Sequence, residues 1–270
     1  VAGQLLKTAL EPFAADPTTS AVLLDIDGTL APIVEHAESA TVPEATRQLL
    51  IPMSRRYGLL ACVSGRRASD ARAMVAVGSM YYLGSHGAEV LNAGATEAVL
   101  DPRLGEWGER IEQFSRELDP MSLQHRRVRI EDKGSILALH WRGAADEASA
   151  RAVVDAVAEQ ARSAGFETHW GRKVMEICPP IPINKGTGIT TLLDGHEVSR
   201  ALFAGDDATD LDAFRALREL VAAGKLESAL CVGVASDEGP AEIVTEADVV
   251  VDGPDGVREM LVGLRLDADE

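Results

Sequence analysis

The apolar run Ala21-Val22-Leu23-Leu24 stops abruptly at Asp25, and two later segments end in the same way. Gly58-Leu59-Leu60-Ala61-Cys62-Val63 gives way to Ser64-Gly65-Arg66, and Ala201-Leu202-Phe203-Ala204 gives way to Gly205-Asp206-Asp207. Runs without polar alternation suit strands buried on both faces, as in a parallel sheet with helices on either side. Residues 81–83, 230–234 and 248–251 extend the series. Residues 43–57, opening after Thr41-Val42-Pro43, have helical spacing, and a helix is expected over 68–77. Strands alternating with helices, with polar residues at the strand ends, predict a doubly wound α/β sheet that does its chemistry at the carboxyl ends of its strands.

The middle of the chain breaks this rhythm. Residues 104–119 read as a helix and 127–142 as a strand pair turning near Lys133-Gly134. Leu137, Leu139 and Trp141 share one face of that pair; Ala138, His140 and Arg142 share the other. An Ala-rich helix is expected over 145–164, then two short strands around Gly171. This order predicts a small α+β domain inserted into the core. The expected division is 1–103 for the first part of the core, 104–179 for the insert and 180–270 for the rest, with Pro179, Pro180 and Pro182 in the return linker.

A net charge of −17 argues against a nucleic-acid partner, which wants a basic face. It does not exclude an anionic substrate, because a few local cations, amide groups and a metal ion can hold a phosphate inside an acidic shell. Cys62, Cys178 and Cys231 offer neither a disulfide framework nor a CxxC metal spacing. No apolar run approaches a membrane span. A cytoplasmic protein with no membrane partner is expected, and nothing points beyond a monomer.

The strongest chemical signal is Asp25-Ile26-Asp27-Gly28-Thr29-Leu30 directly after a buried strand. Two carboxylates at a strand end can converge on one hard cation, and Mg2+ suits oxygen donors. Asp25 would then be a nucleophile toward phosphorus, with Asp27 protonating the leaving oxygen and later activating water. Gly205-Asp206-Asp207-Ala208-Thr209-Asp210 ends a second strand with three more carboxylates, which would repel the first pair without a cation. Ser64-Gly65-Arg66 offers a hydroxyl and free amides for phosphate oxygens; taken alone, Ser64 reads as an N-cap. Lys185, in Asn184-Lys185-Gly186 before a helix of residues 186–193, could neutralise the phosphate; taken alone, it reads as an exposed lysine.

Together the four elements resemble, in content and order, the motifs of the haloacid-dehalogenase-like phosphatase superfamily. The resemblance implies a Rossmann-like core with an inserted C2-type cap. It makes Asp25 the phosphorylated nucleophile and Asp27 the general acid/base, with Ser64 and Lys185 on the phosphate. Asp206 would bind Mg2+ with Asp25 and the Asp27 carbonyl, Asp207 would act through a water on the metal, and Asp210 would orient that shell or Lys185.

A narrower resemblance, covering residues 20–262, is to trehalose-6-phosphate phosphatases. It rests on Gly84-Ser85-His86-Gly87-Ala88-Glu89, Glu131-Asp132-Lys133, His140-Trp141-Arg142, Val174-Met175-Glu176-Ile177 and the stretch from Gly205 to Phe214. It implies that Gly65, Arg66, His86, Glu131, Lys133, His140, Arg142 and Glu176 meet the sugar phosphate. Leu211 stands where that family usually has Glu, after the metal carboxylates, so little chemical effect is expected. The short stretch before residue 20 is expected to exclude a fused synthase domain. Hydrolysis of trehalose 6-phosphate is the leading expectation. Another sugar or pseudo-disaccharide phosphate, a phosphotransferase or mutase, and a non-catalytic sugar-phosphate sensor are the alternatives. The insert, which carries no reactive groups of its own, is expected to act as a lid that selects the sugar.

Overall fold

A computed structural model describes residues 2–34, 40–134, 136–236 and 239–265. The chain divides into two compact units, one built from Val1–Val99 with Ile183–Glu270 and the other from Leu100–Pro182. The strands are, in chain order, β1 (Ser20–Leu24), β2 (Leu59–Val63), β3 (Tyr81–Gly84), β4 (Glu89–Leu91), β5 (Val99–Leu100), β6 (Arg129–Asp132), β7 (Leu137–His140), β8 (Glu167–Gly171), β9 (Val174–Cys178), β10 (Arg200–Gly205), β11 (Ser228–Ala235) and β12 (Val249–Asp252). The helices are α1 (Ala2–Ala15), α2 (Glu44–Arg56), α3 (Ala68–Val75), α4 (Gly105–Glu117), α5 (Pro120–His125), α6 (Glu147–Ser163), α7 (Lys185–Asp194), α8 (Asp210–Ala222), α9 (Ala241–Glu246) and α10 (Gly253–Arg265).

The larger sheet runs β12-β11-β10-β1-β2-β3-β4-β5. Its strands from β12 to β3 pair in parallel, and β4 turns back antiparallel to β3. Every residue of β1, β2 and the apolar part of β10 is buried, which explains their unbroken apolar sequence. Alternate residues of β1 serve different cores. Val22 and Leu24 pack with Leu10 and Phe13 of α1, Leu50 of α2 and Met260 of α10. Ala21 and Leu23 pack with Ile189 of α7 and Phe214 and Leu217 of α8. The unit is thus the expected doubly wound α/β sheet, with two cores on opposite faces.

The second unit is a four-stranded antiparallel sheet in the order β6-β7-β9-β8. Leu137, Leu139, Met175 and Ile177 pack with Ile111 and Phe114 of α4 and Val154 and Val157 of α6. The register places Glu131 opposite Ala138, Ala138 opposite Glu176 and Glu176 opposite His169, so these residues share the sheet face away from that core. The short helix α5, capped by the Asp119 carboxylate, lies between α4 and β6, a region where the sequence pattern showed no helix. No described helix is long and apolar enough to cross a membrane, and all three cysteines are free and buried.

Candidate active site

β1 and β10 lie side by side in the sheet, so their carboxyl ends bring residues 25 and 206 together from opposite ends of the sequence. The Asp25 amide continues the ladder by donating to the Ala204 carbonyl at 2.9 Å. Gly28 then turns the chain at φ +92°, and a Cβ there would lie 2.1 Å from an Asp206 carboxylate oxygen. Only glycine allows this approach. Thr29 donates to Asp206 Oδ1 at 3.3 Å, a contact the sequence motif contains but does not disclose.

Lys185 is the first residue of α7, where a reciprocal Asn184–Thr187 capping box fixes the helix start. It is 3% exposed, so it is not the exposed lysine that its sequence context suggests when taken alone. Its ammonium group donates to Asp25 Oδ1 at 2.7 Å and to Asp210 Oδ1 at 2.5 Å. The other Asp210 oxygen accepts from the amides of Asp206 at 3.0 Å and Asp207 at 2.9 Å. Asp210 therefore braces both the lysine and the acidic loop. Burial pulls the Lys185 pKa down, but Asp210 and Asp25 outweigh it and leave the ammonium held charged.

One oxygen from each of Asp25, Asp206 and Asp210 lies within 4.8 Å of the others, and all three residues are buried. Burial raises the Asp25 pKa well above its ordinary value; Lys185 opposes this, while Asp210 and Asp206 add to it. Burial, with Asp210 and Asp207, likewise pushes Asp206 up to about 7. Crowded carboxylates that resist ionisation are a donor set short of positive charge, and their hard oxygens fit Mg2+. Asp210 has both oxygens engaged, which leaves Asp25 and Asp206 as the carboxylates able to hold the ion. Asp207 is exposed and accepts from the Ala208 amide at 2.6 Å, outside this cluster.

The sign of the resulting pH dependence is fixed. A carboxyl whose folded pKa is raised costs stability as pH climbs from its unfolded value, near 3.8, through its folded value, about 7 for Asp206. Metal-free protein should therefore melt lower at pH 8 than at pH 5.5, and Mg2+ should raise the melting temperature more at pH 8, where it no longer competes with protons. Thermal melts in EDTA and in Mg2+ at both pH values measure this. Asp206→Asn should shrink the difference, and an equal Mg2+ effect at both pH values would refute the assignment.

Asp27 faces elsewhere. Its carboxylate accepts two hydrogen bonds from Arg66, from Nε at 2.7 Å and from Nη2 at 2.6 Å. Ser64 is buried, and its hydroxyl oxygen accepts from the Arg66 amide at 3.1 Å. It does not cap α3: Arg67 holds the N-cap position with no side-chain capping bond to the helix, and Glu89 Oε1 accepts from the Ala68 amide at 2.8 Å instead. His86 has φ +57°, and its ring fills the space a Gly65 Cβ would need.

Within the second unit, Lys133 donates to Glu176 Oε1 at 2.7 Å, and Glu131 meets His140 Nε2 at 2.7 Å. The hydrogen bond from His140, then Lys133 and Arg129, hold the Glu131 carboxyl down at about 2, against the effect of burial. Arg142 points away toward the β8–β9 turn, its guanidinium 3.5 Å from the Arg172 carbonyl.

Comparison with known proteins agrees with this architecture. The trehalose-phosphatase family model matches residues 23–248. An uncharacterized glycosyl hydrolase of Mycobacterium tuberculosis is 32% identical over 213 residues, which is 73% of this chain but 15% of that protein. Trehalose-phosphate phosphatase B of Arabidopsis thaliana is 31% identical over 213 residues, 73% of this chain and 56% of that protein. The chain thus spans between a seventh and three fifths of the curated relatives it matches. Among solved structures, the C-terminal domain of Candida albicans trehalose-6-phosphate phosphatase shares the fold at a TM-score of 0.73 and 20% identity, covering 96% of each chain. With its two Asp-bearing strand ends, its buried lysine and this match over most of its length, the chain belongs to the trehalose-phosphatase family.

Proposed function

We propose that this chain hydrolyses trehalose 6-phosphate to trehalose and phosphate through a phosphorylated Asp25. The observation that carries the chemistry is the buried Lys185 ammonium, 2.7 Å from Asp25 and 2.5 Å from Asp210, beside Asp206. A sensor that only binds a sugar phosphate has no need of a buried carboxylate nucleophile. The substrate is inferred from the family and from the names of its plant relatives.

In this reading the Asp25 carboxylate attacks phosphorus and the bond to the sugar oxygen breaks, with Asp27 giving that oxygen its proton. Asp27 then takes a proton from water, which attacks the aspartyl phosphate and restores Asp25. Lys185 and Ser64 hold phosphate oxygens as negative charge redistributes. Mg2+, held by Asp25, Asp206 and the Asp27 carbonyl, would offset the repulsion between a carboxylate and a phosphate. We infer a cytoplasmic monomer as the setting, from the free cysteines and the acidic surface.

Glu131, Lys133, His140 and Glu176 are the groups we assign to the sugar remote from the phosphate, since a saccharide offers hydroxyls that both carboxylates and ammonium groups can meet. Phosphate release from a panel of sugar phosphates tests the substrate, and trehalose 6-phosphate should be preferred. Equal turnover of glucose 6-phosphate would keep the chemistry and remove the assignment. Glu176→Ala should cost the disaccharide phosphate about 1–3 kcal/mol in kcat/KM, roughly ten- to a hundredfold. The minimal ester p-nitrophenyl phosphate should be far less affected. If the ratio of the two kcat/KM values stays unchanged, these residues do not read the sugar.

A further inference from the structure

We propose that Arg66 is a positioning residue for the Asp27 carboxylate rather than a ligand of the substrate phosphate. The inference rests on the reading of Asp27 as the general acid/base given above. Both oxygens of Asp27 are taken by one guanidinium, Nε to Oδ2 at 2.7 Å and Nη2 to Oδ1 at 2.6 Å. This two-point fork fixes the plane of the carboxylate as well as its place, which a single donor cannot do. The constraint matters because the Asp27 side chain is 42% exposed and the Arg66 side chain 21%, so packing alone does not hold the acid. The edge that forms this fork, Nε with Nη2, faces Asp27.

The backbone around Arg66 is itself braced. Its amide donates to Ser64 Oγ at 3.1 Å and its carbonyl accepts from the Ser85 amide at 2.7 Å, while the His86 amide donates to the Ser64 carbonyl at 3.1 Å. Ser85 and His86 both have positive φ, +49° and +57°, a conformation uncommon for residues with side chains. Glu89 Oε1 binds this segment from below, accepting from Ser85 Oγ at 3.1 Å and from the Ala68 amide at 2.8 Å. Two strand-end loops are thus locked together, and what projects from them toward Asp27 is the guanidinium. An arginine stays protonated, so the fork keeps its donors across the working pH range.

The consequence falls on substrates whose leaving group needs a proton. A sugar alkoxide is a poor leaving group, whereas p-nitrophenolate departs unaided. kcat/KM covers events up to the first irreversible step, so it reads this proton transfer separately from hydrolysis of the aspartyl phosphate. The experiment measures kcat/KM over phosphate monoesters of rising leaving-group pKa, from p-nitrophenyl phosphate to alkyl and sugar phosphates. It compares wild type, Arg66→Gln, Arg66→Lys, Asp27→Asn and the Asp27→Asn/Arg66→Gln double variant, with inorganic phosphate as a competitive inhibitor.

Arg66→Gln should lower kcat/KM for the alkyl and sugar esters by roughly ten- to a hundredfold, within the range general acid catalysis supplies, and for p-nitrophenyl phosphate by less than about threefold. Arg66→Lys keeps the charge but loses the fork, and should fall between. In the Asp27→Asn background, Arg66→Gln should add nothing, because both changes act through one carboxylate. Inhibition by phosphate should hold. If Arg66→Gln and Arg66→Lys depress all esters equally or weaken phosphate inhibition, Arg66 binds the phosphate and the proposal is overturned. If Asp27→Asn itself shows no leaving-group dependence, the reading of Asp27 is what fails.

Discussion

Asp25→Asn is expected to lose turnover to below about a thousandth of wild type while melting no lower than wild type in the absence of metal. The two halves of this result come from one geometry. Asp25 is 4% exposed, and burial with the neighbouring Asp210 and Asp206 makes its ionised form costly, only partly relieved by Lys185. An amide of the same shape removes the charge and keeps a carbonyl oxygen that can accept from Lys185 at the position of Oδ1. The proposed nucleophile, however, is gone. A melting temperature that holds or rises as activity vanishes is the mark of a charge kept for chemistry at the expense of stability. Phosphate release in protein purified free of host phosphatases, with thermal melts in EDTA, measures both. Turnover above that level removes Asp25 from the nucleophile's role. A lower melting temperature would mean that the Asp25–Lys185 pair is a net structural support.

How much of this was legible in the sequence depends on how local each feature is. β1, β2 and β10 could be read because burial on both faces leaves an unbroken apolar run. The acidic strand ends followed from the same runs, and stretches such as Glu131-Asp132-Lys133 and Val174-Met175-Glu176-Ile177 pointed to the family that the match over residues 23–248 shows. The edge strands β4 and β5, of three and two residues, are too short to carry a period. α1 buries Leu10 and Phe13 against the core through contacts that lie far along the chain. The pairing of Asp27 with Arg66 joins residues 39 positions apart, and no spacing rule predicts a guanidinium fork across two strand ends. The sequence also left Asp210 with alternative roles among the metal carboxylates. Its start at the first turn of α8 was the local sign that it could brace backbone amides instead, as the hydrogen bonds from residues 206 and 207 now make plain.

Asp210→Ala should give the opposite pairing of effects, with stability and activity lost together. Asp210 is fully buried, and its carboxylate has three partners, the Lys185 ammonium and the amides of Asp206 and Asp207. Removing it leaves two loop amides without that acceptor and a 3% exposed ammonium with one carboxylate in place of two. Breaking a buried pair from one side costs about 3–5 kcal/mol. That is a large share of the roughly 5–15 kcal/mol by which a domain is stable. The melting temperature should fall by roughly 10 °C at this chain length. Activity should fall as well, because the loop that presents Asp206 loses its brace and Lys185 is left drawn to Asp25 alone. Asp210→Asn should lie between, since its amide oxygen can still accept from the loop while its NH2 group meets the Lys185 donor unfavourably. Combining Asp210→Ala with Lys185→Met tests the same cluster from the other side. The double variant also takes the ammonium away from Asp25 and Asp206, whose ionised forms it partly relieves, so it should melt no higher than Asp210→Ala and remain inactive. If Asp210→Ala melts within about 2 °C of wild type and still turns over substrate, the carboxylate is not the brace that holds the two strand ends in register.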